Sequence, residues 1–213
     1  MPKLPLPPSV EEIHRIPPET KLLPVGTVLA RIYFAGGAHP VQWNTFKNFG
    51  PGNGRFDHHL PNAAGEACSQ QRSIFYCAAN AVTCFAEVFQ DTRRIDRFRN
   101  APWLAVFELD QPCMLLDLTG AYTTRVGASM AINTGNRRTA RLWARGFYEA
   151  YQDLTGIYYA SSMHGNAPAI AFTDRAGEVL ALPAFPKFNR ALADDALLDV
   201  LKYSASTLGY GLR

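Results

Sequence analysis

The stretch SIFYCAANAVTCFAEVF, residues Ser73–Phe89, decides the fold around which the rest of the chain is arranged. Its first half, Ile74 to Ala78, is a short apolar run that contains β-forming residues. Its second half has helical spacing and begins after Asn80, a residue type that favours the N-cap position of a helix. The sequence therefore predicts a buried strand that leads directly into a helix.

Glu87 is the acidic residue of this predicted helix. At 100° per residue it shares an arc with Thr83, Gln90 and Asp91. The opposite arc is apolar and is expected to face the core: Ala81, Val82, Phe85, Val88 and Phe89. A glutamate in this position is usually solvated. The alternative is a carboxylate that faces a cleft, and the helical period does not distinguish the two.

Composition limits the class of protein. The chain has 213 residues, of which 47% are apolar, so we expect one compact domain that buries about 70% of its unfolded surface. The formal charge of +3 is too small to indicate a nucleic-acid or membrane partner. The cysteines show no C-x-x-C spacing, so we expect reduced and mostly buried thiols at Cys68, Cys77, Cys84 and Cys113.

The N-terminal segment is rich in proline. Residues 1–24 leave room for a short helix only near Val10 to Arg15, so residues 1–27 are predicted to form an arm over the surface. The segment has no apolar signal-peptide core, and no run of 18 apolar residues occurs in the chain, so a cytoplasmic location is expected.

Two arginines precede the central strand. Val28 to Phe34 has the composition of a strand and carries Arg31 in its middle, where a buried guanidinium needs an anionic partner. The alternative is an edge strand with Arg31 in a surface ion pair. Gly36 to Pro61 is predicted to be a long loop that carries Arg55 on a glycine-rich turn. A guanidinium beside backbone amides suits a phosphate or pyrophosphate.

Several known motifs are absent from the loop. Its glycines match neither the dinucleotide-binding fingerprint nor the P-loop. The histidines lack the acidic or thiol partners of a metal site, so no metal is predicted at His39, His58, His59 or His164.

The second half of the chain alternates predicted strands with two helices. Thr139 to Leu154 has the longest helical pattern, and its arginines are most simply read as a solvated face: Arg137, Arg138, Arg141 and Arg145. Asp194 is predicted to cap a final helix. The predicted strands are Trp103 to Leu109, Cys113 to Leu118, the hairpin of Gly156 to Ser161 and Ala167 to Thr173, and a short edge at Leu180 to Pro183.

The order and context of five residues resemble the RES domain, a toxin module named for its arginine, glutamate and serine. The resemblance covers roughly residues 28 to 173 and is carried by Arg31 in LARIY, Arg55 in GNGRF, Tyr76 in IFYCA, Glu87 in TCFAEVF and Ser161 in GIYYAS. The chain departs from the family at Tyr158 and Ala160, where members often have a basic residue and a proline. Ser162 directly follows Ser161, and strand alternation lets only one of the two face a cleft.

The resemblance implies a fold and a reaction. The fold would be α+β, a single ADP-ribosyltransferase-like domain whose split β-sheet core has flanking helices around an NAD cleft. The NAD-binding core would span residues 28–182, with a C-terminal helical extension at 183–213. Family members consume NAD by hydrolysis or phosphorolysis, or transfer ADP-ribose to protein, and separate antitoxins hold them in check.

The resemblance also implies a role for each residue, with NAD as substrate. Glu87 would stabilise the positive charge that develops on the ribose as its bond to nicotinamide breaks. The other roles would be pyrophosphate binding by Arg31 and Arg55, a flat face for nicotinamide at Tyr76, and a hydrogen bond from Ser161 that orients the arginine or the ribose. Two alternatives stay open: a protein ADP-ribosyltransferase that uses the same residues, and a non-enzymatic nucleotide-binding or interaction module with Glu87 on its surface.

Overall fold

The structure is a computed structural model that describes residues 4–179 and 181–213. Its strands are β1 (Thr20–Leu23), β2 (Val28–Phe34), β3 (Lys47–Gly50), β4 (Cys68–Ala78), β5 (Arg94–Ile95), β6 (Pro102–Glu108), β7 (Cys113–Asp117), β8 (Gly156–Ala160), β9 (Pro168–Thr173), β10 (Phe188–Ala191) and β11 (Gly211–Leu212). Its helices are α1 (Val10–His14), α2 (Ala81–Val88), α3 (Tyr122–Arg125), α4 (Ala131–Thr134), α5 (Arg137–Ala150), α6 (Asp174–Glu178) and α7 (Leu198–Leu208).

A large mixed sheet forms the centre of the molecule. Its strand order is β1-β7-β8-β9-β4-β2-β6-β10, and β3 pairs with β4. The predicted hairpin is present as β8 and β9, which pair antiparallel, whereas β7 and β8 are parallel. The predicted edge at Leu180 to Pro183 is not formed: Leu180 lies outside the described residues, and residues 181–183 contain no strand. The edge position beside β6 is taken instead by β10, which the sequence did not predict.

The sheet divides between β2 and β4. In the described part of the chain these strands register only through Ala30 and Ala78. In contrast, β2 pairs with β6 along its whole length, and β4 pairs with β9 from Ile74 to Ala78. The two halves of the sheet are therefore joined at one point and separate beyond it. The α+β class and the split-sheet core with flanking helices, both predicted from the sequence, are confirmed.

Two apolar clusters occupy the two sides of the sheet. One contains fully buried aromatic residues of the helices, such as Phe85 and Trp143. The other contains Phe75 and Phe107 of the strands, together with Trp43 of the long loop. Burial of one such aromatic side chain contributes about 1.5–3 kcal/mol. Because side chains alternate along a strand, the sides on which β2 and β4 residues lie decide which of them can reach a common site.

Helix α2 follows the central strand as predicted. The Asn80 side chain caps it by accepting a hydrogen bond from the Thr83 amide at 2.9 Å. The predicted core face was partly wrong, because Thr83 is fully buried whereas Val88 is 37% exposed. The turn between β8 and β9 covers the side of the helix that carries Thr83. Glu87, one turn later on that side, is half-buried rather than solvated.

The N-terminal arm and a segment that precedes the final helix supply edge strands to the central sheet. β1 of the N-terminal arm pairs with β7, and β10 pairs with β6. The arm is fixed to α5: the Trp143 indole donates to the Pro5 carbonyl at 2.8 Å, and the Tyr151 hydroxyl lies 2.8 Å from the Ile13 carbonyl. At the other end, the Asp194 side chain accepts from the Ala196 amide at 2.9 Å and begins the predicted final helical segment.

Candidate functional site

A pocket opens beside the seam between β2 and β4. Its cavity volume is about 220 Å³, and the pocket is open to solvent at its mouth. Aromatic and apolar side chains line part of the pocket, and charged and amide side chains line the rest. The lining residues are Ile32, Asn53, Gly54, Arg55, Tyr76, Cys77, Ala78, Cys84, Glu87, Val88, Gln90, Arg137 and Tyr159. Three of the five sequence-predicted residues, Arg55, Tyr76 and Glu87, thus line one pocket.

Glu87 and Ser161 form a direct pair at this pocket. The Ser161 hydroxyl donates to Glu87 Oε1 at 2.6 Å, a short distance typical of a hydroxyl that binds a carboxylate. Ser161 itself is fully buried, and its Oγ accepts from the amides of Met163 and His164 at 3.2 and 3.1 Å. The hydroxyl is therefore occupied both as donor and as acceptor. Its adjacent residue Ser162 is exposed, so the geometry places Ser161 at the carboxylate.

A second contact holds the Ser161 turn against α2. The Thr83 hydroxyl lies 2.9 Å from His164 Nδ1 and 3.0 Å from the Asn80 side-chain oxygen. Thr83 is fully buried, so this contact is shielded from water. Thr83 and Glu87 lie one helical turn apart on α2, and each is hydrogen-bonded to the turn. This arrangement fixes the direction of the Glu87 carboxylate before any ligand binds.

Arg55 reaches the pocket from the glycine-rich loop. Its guanidinium donates to the Gly135 carbonyl at 2.7 Å. Gly54 makes this loop position possible, because a Cβ there would lie 2.4 Å from the Tyr76 hydroxyl oxygen. The Tyr76 oxygen in turn accepts from the Phe56 amide at 3.1 Å. Tyr76 therefore supports the loop as well as lining the pocket, and burial raises the pKa of its hydroxyl, which stays protonated.

A second guanidinium, that of Arg137, enters the pocket from the start of α5. Arg137 donates to the Gln90 side-chain oxygen at 2.5 Å and is 4.0 Å from the Asp91 carboxylate. Burial lowers the pKa of Arg55, and the like charge of Arg137 lowers that pKa further. Two positive groups therefore share the pocket with one carboxylate, Glu87, which gives the site an affinity for anions.

Arg31, by contrast, does not line the pocket. Its neighbours Leu29 and Tyr33 on β2 belong to the apolar cluster on one side of the sheet, whereas Ile32 lines the pocket on the other. The Arg31 guanidinium lies 3.9 Å from the centre of the Phe75 ring and donates to the Thr45 carbonyl at 3.0 Å. Burial lowers its pKa to about 10. The structure thus gives Arg31 a cation–π partner and a carbonyl in place of the predicted anion.

Two thiols, Cys77 and Cys84, also line the pocket and could be mistaken for nucleophiles. Burial raises the pKa of Cys77 well above its ordinary value. Cys84 is buried, and its Sγ donates to the Ala30 carbonyl at 3.0 Å. Burial raises the pKa of this thiol to about 12, so the reactive thiolate is not populated near neutral pH. The chemistry of the pocket therefore rests on its carboxylate, guanidinium and hydroxyl groups.

Among the lining residues that the sequence did not predict, Arg137 and Tyr159 bear most directly on the chemistry of the pocket. Arg137 was predicted to lie on a solvated face with three other arginines of α5, and of these Arg138 is indeed exposed. The prediction was also wrong for Arg145, whose guanidinium is half-buried and donates to the His59 carbonyl at 2.9 Å. Tyr159 was missed because it lies within an apolar strand. Its position two residues before Ser161 was the signal that could have identified it, because residues two apart along a strand lie on the same face, here the face towards α2.

No helix in the described ranges is both long and apolar enough to cross a lipid bilayer.

Comparison with the curated proteins found no match. A search of solved structures found similarity to the crystal structure of the M. tuberculosis MbcT-MbcA toxin-antitoxin complex, with a TM-score of 0.58 and 15% sequence identity, over 91% of this chain and 96% of that chain. At this identity the similarity shows a shared fold. The RES domain model matches residues 28–194, and the chain therefore belongs to the RES domain family.

Proposed function

We propose that this protein cleaves the bond between nicotinamide and ribose in NAD. One observation carries the proposal: a carboxylate fixed by a buried serine, Glu87 with Ser161, lies in a pocket that also holds two guanidinium groups. The contact to Ser161 is inconsistent with a freely solvated Glu87, which the non-enzymatic alternative assumed.

The chemistry of the bond explains why these groups suit it. As the leaving nicotinamide takes the bonding electrons, positive charge develops at the ribose, and a nearby carboxylate stabilises that charge. Glu87 is the carboxylate in the pocket. Ser161 orients it by donating a hydrogen bond and does not attack the substrate, because its Oγ is already engaged by two backbone amides.

The remaining pocket residues fit the rest of the substrate. Arg55 and Arg137 supply fixed positive charge for the pyrophosphate of NAD. Tyr76 offers an aromatic face to the nicotinamide ring, as the family resemblance implies. We assign Arg31 to positioning instead of substrate binding, since its guanidinium holds the Thr45 carbonyl of the long loop on the far side of the sheet.

Incubation of the purified protein with NAD, followed by measurement of free nicotinamide, tests the proposal. Nicotinamide is expected to accumulate. If NAD binds and no nicotinamide is released, the protein is instead a nucleotide-binding module. Inorganic phosphate and cell lysate are added in separate reactions to identify the acceptor. ADP-ribose as product indicates water, ADP-ribose 1-phosphate indicates phosphate, and labelled protein indicates an ADP-ribosyltransferase.

We further propose that the protein acts as the toxin of a toxin-antitoxin pair, with a separate antitoxin as its partner. Family membership supports this role, and the structurally similar protein was crystallised as a toxin-antitoxin complex. Induced expression in bacteria is expected to slow growth and to lower cellular NAD. A Glu87→Gln variant expressed at the same level serves as control, and unimpaired growth with active wild-type protein would contradict the toxin role.

A further inference from the structure

Tyr159 is a buried tyrosine whose hydroxyl has no protein partner in the described part of the chain. Its side chain is 5% exposed and lines the pocket. The hydroxyls of other buried tyrosines are hydrogen-bonded: that of Tyr33 donates to the Asn189 side chain at 2.9 Å, and those of Tyr122 and Tyr151 lie 2.8 Å apart. The Tyr159 hydroxyl differs: it bonds to no described residue and is open to the pocket, where a ligand can reach it.

The ring of Tyr159 is held firmly. It packs against Phe56 with 4.7 Å between ring centres, and Phe56 directly follows Arg55 in the chain. In the sheet Tyr159 pairs with Ala169 of β9, so the strand pairing fixes its backbone as well. The hydroxyl is therefore placed by packing, independently of any hydrogen bond of its own.

The surroundings decide what this hydroxyl can do. Burial and the nearby Glu87 carboxylate both raise the pKa of Tyr159, so the group stays neutral and keeps its proton. A neutral phenol can donate one hydrogen bond, whereas the Glu87 carboxylate can only accept. Ser161 binds Glu87 Oε1, and Oε2 has no hydrogen-bond partner among the described residues. A donor and an acceptor thus line the same pocket, both available to a ligand.

A sugar hydroxyl matches this pair, because it can accept from one group while it donates to the other. Resting on the proposed function, we propose that the Tyr159 hydroxyl donates to the 2′-hydroxyl of the ribose next to the scissile bond, which in turn donates to Glu87. The contact polarises the ribose hydroxyl towards the carboxylate. Tyr159 is in this role a substrate-binding residue that favours a ribose over a deoxyribose.

The test compares Tyr159→Phe with the wild-type protein on two substrates, NAD and the NAD analogue that lacks the 2′-hydroxyl of the nicotinamide ribose. Tyr158→Phe is the matched control, since Tyr158 is the preceding residue of β8 and does not line the pocket. With NAD, Tyr159→Phe is expected to lower kcat/KM about tenfold, the effect of one hydrogen bond, and Tyr158→Phe to leave it unchanged. With the analogue, the loss from Tyr159→Phe is expected to shrink to within about twofold.

Each other outcome contradicts the inference. An equal loss on both substrates would place the hydroxyl on another part of NAD, such as the carboxamide. Unaltered kinetics would mean that it touches no substrate, and loss of folding would reveal a structural partner. If the wild-type protein releases no nicotinamide, the proposed function fails separately. Calorimetry with ADP-ribose, and with ADP as the ligand without this ribose, then tests Tyr159 alone: only ADP-ribose binding is expected to weaken, about tenfold.

Discussion

Replacement of Ser161 by alanine separates a positioning serine from a nucleophile. The change removes the 2.6 Å hydrogen bond to Glu87 and leaves the amides of Met163 and His164 without their side-chain acceptor. A hydrogen bond to a charged group contributes about 1.5–3 kcal/mol. If the full amount orients the carboxylate for the transition state, nicotinamide release falls about 10- to 100-fold. Because Ser161 is fully buried, the free energy of unfolding is also expected to fall, by about 2–3 kcal/mol.

The assay is the initial rate of nicotinamide release, measured beside thermal unfolding. Ser162→Ala is the matched control, because Ser162 is the exposed neighbour, and it is expected to change neither quantity. Full activity in Ser161→Ala would refute the positioning role. Complete loss of activity with an unchanged melting temperature would also refute it, because such a result is expected of a nucleophile whose removal leaves the fold intact.

Three further results are expected. Arg137→Ala is expected to raise KM for NAD about tenfold with little change in kcat. Arg31→Met is expected to lower the melting temperature and to leave KM unchanged. The reverse pattern would place the pyrophosphate at Arg31. Gly54→Ala is expected to lower both stability and activity, since the new Cβ meets the Tyr76 ring; wild-type behaviour would show that the loop adjusts freely. Burial lowers the pKa of His58, so below about pH 6.5 the unfolded state binds a proton that the folded state does not. The melting temperature is therefore expected to fall as pH drops below about 6.5. A His58→Gln variant whose melting temperature falls equally with pH would contradict this origin.

The central strand and helix were predictable because the signals for them lie within the segment itself. An apolar β-forming run, an N-cap at Asn80 and a helical period are enough to predict α2 and the second half of β4, from Ile74 to Ala78, whereas the polar first half of β4, from Cys68, was not predicted. The side of α2 that faces water was not predictable, because the period fixes how side chains are arranged around a helix and not what packs against each side. Thr83 and Glu87 are covered by a turn that lies about 80 residues later in the chain.

The candidate site was predicted in part for a similar reason. Residues that lie on or next to predicted elements, such as Tyr76 and Glu87, could be assigned by order and context. Arg31 was assigned an anionic partner because charge pairing is the usual reason for a buried guanidinium, whereas the structure places it over the Phe75 ring. Arg137 belongs to a run of arginines in the sequence. What distinguishes it from its exposed neighbour Arg138 is that it lines the pocket at the start of α5, and the sequence does not show this.

The central claim is that Glu87 supports cleavage of the nicotinamide bond. The measurement that tests it most directly is nicotinamide release from NAD by Glu87→Gln, compared with the wild-type protein at matched melting temperatures. Glutamine keeps the size of the side chain and an oxygen that can accept from Ser161, so the fold is expected to be unchanged. Loss of the negative charge is expected to lower the rate about 100-fold, which corresponds to roughly 3 kcal/mol of transition-state stabilisation. A folded Glu87→Gln protein that releases nicotinamide as fast as the wild type would contradict the account.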